Sequence, residues 1–275
     1  MATAHSQPDV GPLLRQWRER RRVTQLELAL DAGVSARHLS FVETGRSQPG
    51  REMLLRVLGQ LKVPFREQNR LLLAAGHAPA YPERPLDDPD LAPVRDALDV
   101  ILSGHEPYPA VAVDRAWNMV AANSAMLALG GAVDERAPEL LEPPINVIRI
   151  GLHPRGLGPL FINLGDWHAH WLKRLERQLA ATGDEQLAAL IDEVTGYPVP
   201  EPTHDVGAEG DGSEMLGPVR VRTPDDGELS FFGMFASFDT PFEVTTSELA
   251  IELLFPADHT TAEMLHRRES SASRR

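Results

Sequence analysis

The sequence predicts two dissimilar folds in one chain: an all-α five-helix bundle containing a helix-turn-helix, then an α+β domain with an antiparallel sheet. Three observations carry this. The segment TQLELALDAGVSARHLSFVETGR, Thr24 to Arg46, has the caps and apolar spacing of two short helices joined by a tight turn. Charge is divided sharply, with residues 1–75 at +5 and residues 76–275 at −18 within a net −13. Apolar period changes along the chain, from helical in the first third to strand-like alternation in the last.

Five helices are expected over residues 10–75. The first, near Pro12 to Arg22, has Leu13, Leu14 and Trp17 as its apolar stripe. Thr24 caps the second, whose Leu28, Ala29 and Ala32 share a face. Gly33 stops it, glycine being the residue that takes the left-handed conformation without a Cβ penalty. Ser35 caps the third, with Leu39 and Val42 inward and Ala36, Arg37, Ser40 and Phe41 outward. The loop Gly45 to Gly50 releases a fourth helix carrying Met53, Leu54, Val57, Leu58 and Leu61. Pro64 starts a fifth, with Leu71, Leu72 and Ala75 inward and Gly76 at its end.

An outward face at the N-terminus of the second helix of such a pair is what enters a major groove. Arg37, Ser40 and Phe41 are the candidates for base edges, since arginine grips guanine and a ring meets the thymine methyl. Thr24, Ser35 and Ala36 border that face at the two helix starts. Gln25 and the amides beside it suit one phosphate, and Arg46 a second. A plain helical hairpin is the alternative. Arg18 and Glu43 are expected to form an internal ion pair that positions the third helix without touching a base. The basic head favours a polyanion and the acidic remainder repels one, so the overall charge does not argue against double-stranded DNA.

His77 to Pro93 has five prolines in 17 residues and reads as a semi-rigid linker holding two domains apart. The expected organisation is a head at 1–76, a linker at 77–93, a second domain at 94–268 and a disordered tail at 269–275. In the second domain a helix near Val94 to Leu102 precedes a strand at Ala110 to Val113, a turn at Asp114-Arg115, a second strand and a short helix begun by Asn123. Asp166 to Thr182 is strongly helical with Asp166 as its cap, and Glu185 to Val194 follows as a partner helix. Gly207 to Ser213 reads as a surface loop. Val219 and Val221 alternate with arginines, and Asp225-Asp226-Gly227 is a hairpin turn. Leu229 to Phe238 is apolar on both faces, as a strand covered on both sides would be. Leu249, Ile251, Leu253 and Phe255 alternate with Glu248, Ala250 and Glu252, which predicts one wet face.

The second domain is rich in large apolar side chains, and Trp117, Phe161, Trp167, Trp171, Phe231 and Phe235 are the candidates for lining an apolar ligand cavity. Arg149, His153 and Arg155 are expected at its mouth, where a cation suits a carboxylate head group. Surface charges are the alternative for each. There is no cysteine, no HExxH, no GxSxG and no phosphate loop, so no catalytic residue, metal site or cofactor is expected. Asp166, His168 and His170 are too close along a helix to face one another. No apolar run reaches the length of a membrane span and no signal peptide is recognised, so a cytoplasmic protein is expected.

Residues 10–76 resemble the XRE-type helix-turn-helix repressors through TQLELALDAGVS and HLSFVETGRSQP. More specific segments follow in order: PFREQNRLLLAAGHAPAYPE, ALDVILSGHEPYPAVAVDRAWNMVAAN, NVIRIGLHPRGL and TPFEVTTSELAIELLFPAD. Together they make nearly the whole chain similar to the MmyB-like regulators. The resemblance implies a PAS-like second domain, a fatty-acid-like effector and a homodimer acting on an inverted repeat. His168 stands where many relatives have arginine, which would weaken a head-group contact there or make it pH-dependent. Gly50 stands where relatives often have a better helix cap. The alternative is a constitutive DNA-binding regulator whose second domain serves dimerisation or protein interaction; an enzyme fused to a DNA-binding head is the remaining class.

Overall fold

The computed structural model describes residues 9–134, 137–202, 217–223, 227–239 and 241–272. They divide into two units. The first comprises Met1–Pro85, Ala180–Thr182 and Thr240–Ser247; the second comprises Leu86–Leu179, Gly183–Asp239 and Glu248–Arg275.

The first unit is built on α1 (Val10–Arg20), α2 (Gln25–Asp31), α3 (Ala36–Glu43), α4 (Arg51–Gln60) and α5 (Phe65–Ala74). Their apolar stripes meet in one core, where Leu14, Leu39, Val42, Leu54, Val57, Leu58, Leu71 and Leu72 are fully buried. Burial of each such aliphatic side chain is worth roughly 1.5–3 kcal/mol over leaving it exposed. Gly33 has the expected left-handed backbone, φ 62°. Gly11 does something the sequence did not announce. A Cβ there would lie 2.5 Å from the Val42 carbonyl oxygen, so glycine allows α1 to press against the last turn of α3. The first half of the proline-rich segment is fastened to α5: the Asn69 Oδ1 accepts from the amides of Ala80 and Tyr81, and the Phe65 and Tyr81 rings stack at 3.8 Å.

In the second unit α6 (Ala92–Gly104) leads to β1 (Ala110–Val113), β2 (Met119–Ala122), α7 (Ser124–Asp134), α8 (Val147–Leu152), α9 (Leu164–Thr182) and α10 (Glu185–Thr195). Then come β3 (Val219–Arg222), β4 (Glu228–Ala236), the short α11 (Val244–Ser247) in the segment that groups with the first unit, β5 (Ala250–Pro256) and α12 (His259–Ala272). The strands form one antiparallel sheet, ordered β2-β1-β5-β4-β3. One face packs on α6 through Leu98, Leu102, Ala112 and Ile251. The other receives α8, α9 and α10 through Ile148, Leu152, Trp171, Leu175 and Leu187. The expected α+β architecture is present.

Several expectations are corrected. The β5 face bearing Ala250 and Glu252 is not wet: it turns toward the α8–α9 side, with Ala250 packed against that core. Alternation reports two faces but not which is enclosed, and here helices cover both. β4 is covered on both sides only at its start, where α12 accepts the Ser230 amide on Thr261 Oγ1; beyond it Phe232 and Met234 are half exposed. Asp166 is not the cap of α9 but lies inside its first turn, because Asn163 binds β3 (Nδ2 to Pro218 O, Oδ1 from Arg220 N) and the chain turns helical directly after it. Residues 269–272, expected in a disordered tail, continue α12, which no glycine or proline interrupts. The loop at 207–213 and turn residues 225–226 lie outside the described residues.

Candidate nucleic-acid interface and ligand cavity

α3 is presented by a network rather than by packing alone. Ser35 caps it by accepting from the His38 amide at 3.0 Å, and Leu39 and Val42 anchor its inner face. At its far end the buried Glu43 carboxylate receives Arg18 bidentately, Nε at 2.7 Å and Nη2 at 2.9 Å, and the Gln25 amide at 2.7 Å. One carboxylate thus ties α1, α2 and α3 together. The expected Arg18–Glu43 pair is there. Gln25, expected to serve a phosphate, has one amide hydrogen committed to it.

The outer face matches the expectation of four outward residues only in part. Arg37 is exposed, with its guanidinium 5.3 Å from the Phe41 ring centre, and Ser40 and Phe41 are half buried. Ala36 leans partly on the core. Arg46 is exposed beyond the left-handed Gly45, φ 70°. Thr24 is committed within its own helix start. Its hydroxyl accepts from the Glu27 amide while its own amide and hydroxyl donate to the Glu27 carboxylate. This capping box lowers the Glu27 pKa and completes the N-terminus of α2.

In the second unit the α8–α9 side of the sheet bounds a cavity of about 930 Å³. Phe161, Trp167, Trp171 and Phe231 line it, joined by Val111, Ile148, Leu152, Leu229 and Leu254. Its polar lining is sparse: Arg222, Thr223, Glu252 and Arg268. Both arginines are exposed, but Arg222 leaves β3 on the face opposite to Val221, so Arg268 is the cation at the rim. Register gives the cavity a length. Val221 of the lining pairs with Leu229 and Glu252 with Phe235, so these two positions, on the same face, are separated by six residues of β4. At about 3.3 Å per residue that is roughly 20 Å.

Near Glu252, Arg174 of α9 sits among aromatic faces, 3.8 Å from the Phe235 ring centre, 5.2 Å from Trp117 and 5.6 Å from Trp171. Burial lowers the Arg174 pKa. Burial also pushes the Glu252 carboxyl up to about 7, with Arg174 drawing it partly back. The Trp167 indole N–H is buried without a hydrogen-bond partner among the described residues.

A family model described as the MmyB-like transcription regulator ligand binding domain matches residues 94–267, well over half the chain. The chain belongs to this family. A helix-turn-helix model matches residues 14–68 of the same chain. Among curated proteins, the uncharacterized HTH-type transcriptional regulator RghRB of Bacillus subtilis (strain 168) is 32% identical over 99 residues, 36% of this chain and 63% of that protein. The matched region thus spans less than two thirds of that relative. A solved RNA-binding light-oxygen-voltage receptor aligns over 94% of this chain and 62% of its own, at 13% identity and a TM-score of 0.28, too distant to support an argument.

Within this MmyB-like domain, the remaining expected ligand residues fall outside the cavity. Arg149 is held bidentately by Glu193, both contacts at 2.7 Å, which lowers the Glu193 pKa; Arg155 pairs with Glu139. His153 accepts from the Arg155 amide, and its pKa is lowered chiefly by burial. His168 is buried with Nε2 2.8 Å from the Val194 carbonyl. Trp117 and Phe235 stand behind Trp171 as its edge-on supports, at 4.9 and 6.1 Å between ring centres. Sequence reasoning missed Arg268 and Glu252. The only signal was a lone glutamate within an apolar alternating strand. Among the described residues no helix is long and apolar enough to cross a membrane, and no cluster of three or more His, Asp or Glu could hold a metal ion.

Proposed function

We propose that this MmyB-like protein is a sequence-specific DNA-binding transcriptional regulator controlled by an apolar, fatty-acid-like effector in its second unit. The observation that carries the effector half is the long apolar cavity with the exposed Arg268 at its rim, a shape and polarity suited to an acyl tail and an anionic head group. Arg37, Ser40 and Phe41 read base edges. Arg46 and the second amide hydrogen of Gln25 take phosphates, and Ser35 and Ala36 border the contact. The protein acts as a homodimer on an inverted repeat whose half-sites lie about one helical turn apart. Effector changes operator affinity only by binding the competent and incompetent states unequally.

The test is fluorescence anisotropy of an operator selected from random duplexes, titrated with full-length protein with and without hexadecanoic acid. Selection should return an inverted repeat, and the acid should shift the midpoint. The Arg268→Ala substitution should weaken binding of the acid but not of hexadecanol. Recovery of no preferred sequence refutes the DNA half. Failure of any long-chain acid or alcohol to bind refutes the effector half.

A further inference from the structure

We infer that the effector carries a hydroxyl group at the end of its chain remote from the head group, received by Glu252 at the far end of the cavity. The inference rests on the reading of this cavity as the effector site. Glu252 lines the cavity on β5 and turns away from α6. Among the described residues no hydrogen bond or ion pair reaches its carboxyl, and Arg174 acts on it only at longer range.

A carboxyl in an apolar wall without a partner is costly, and leucine there would extend the surface already made by Val111 and Leu254. A group kept in such surroundings is a candidate for ligand recognition. The room it needs is also present. Gly233 lies across from Leu254, and a Cβ on it would come 3.4 Å from Glu252 Oε1 and 3.6 Å from Leu254. Glycine therefore leaves free space beside that oxygen.

The chemistry selects hydroxyl over its rivals. A hydroxyl donates to a carboxylate and exchanges bonds with a carboxylic acid, so it fits Glu252 in either state. An ammonium group would share this end with the Arg174 guanidinium and be repelled. A second carboxylate would be repelled by Glu252 itself. The cavity-facing length of β4 between the Val221 and Glu252 levels, roughly 20 Å, matches a long chain whose far end reaches the carboxyl.

The experiment is calorimetric titration of full-length protein with hexadecanoic acid and with 16-hydroxyhexadecanoic acid. The hydroxy acid should bind about tenfold more tightly or better. In Glu252→Leu that preference should vanish while hexadecanoic acid binds at least as well as before. In Glu252→Gln, which keeps an acceptor, part of the preference should remain. Equal affinity of the two acids for the parent protein, or an unchanged preference in Glu252→Leu, overturns this inference and leaves the cavity reading standing. If neither acid binds the parent protein, the cavity reading falls and this inference with it.

Discussion

Replacing Glu43 by alanine should disable the head by loosening it, not by removing a DNA contact. The Glu43 side chain is 1% exposed and that of Arg18 is 11% exposed, so the substitution strands a nearly buried guanidinium. It also deprives Gln25 of its acceptor. Breaking a buried pair by deleting one partner costs about 3–5 kcal/mol. Arg18 keeps its bond to the Val23 carbonyl at 3.0 Å and some access to water, which places the cost near the lower end, about 3 kcal/mol. That is a large share of a domain stability of about 5–15 kcal/mol. Native-state hydrogen exchange followed by mass spectrometry reads the two units separately. Amides of α1 and α3 should lose about two orders of magnitude of protection, while those of β1 and β5 keep theirs. Arg18→Met combined with Glu43→Leu should recover most of the loss, since an apolar pair of similar volume is often neutral. If Glu43→Ala abolishes operator binding with α1–α3 protection unchanged, the carboxylate acts on DNA directly and the reasoning fails.

Arg37→Ala should relax base preference at one or two operator positions, at about 1–3 kcal/mol, whereas Arg46→Ala should weaken all sequences alike and reduce the salt slope by about one. Selection on randomised operators and binding at several salt concentrations distinguish them. Gly11→Ala should destabilise the first unit by about 1–3 kcal/mol, because the new Cβ meets backbone carbonyls that cannot rotate away; unchanged exchange in α1 and α3 would contradict this. Glu252 sets a pH dependence. Its folded pKa of about 7 lies above the ordinary value of 4.5, so the folded state holds the proton more tightly than the unfolded chain. Relative to Glu252→Gln, the parent should therefore lose stability as pH rises from about 4.5 to 7 and level off above that, by about 3 kcal/mol in all. Urea unfolding of both proteins at pH 4.5 and pH 8 measures it, and an equal difference at the two pH values would rule it out.

How much of this was legible depended on the range of the signal. Caps, turn glycines and i, i+4 stripes act within one or two turns, so α1–α5 and their core could be read directly, and so could the outward side of α3. The Arg18–Glu43 pair was legible because both residues sit at inward positions on helices whose packing the motif dictates. Gln25 was not, because its partner depends on how closely α2 meets the end of α3. In the second unit the strands were legible from alternation and the aromatic lining in part, through Phe161, Trp167, Trp171 and Phe231, but the polar groups of the cavity were not. Arg149 lies beside apolar residues in the chain and looked like a cavity cation, yet Glu193, 44 residues away, claims it.

The amino-acid sequence by itself determined the two-part construction, the helix-turn-helix frame, the strand set of the second domain and the confinement of net positive charge to the head. Each follows from local conformational preference or from counting charge. Only the tertiary structure decided which strand face is enclosed, which arginines are already neutralised and which one stands open at a rim, and that Glu252 looks into an apolar chamber. Those properties belong to surfaces formed by residues far apart in the chain, and burial and pairing are settled only when such surfaces meet.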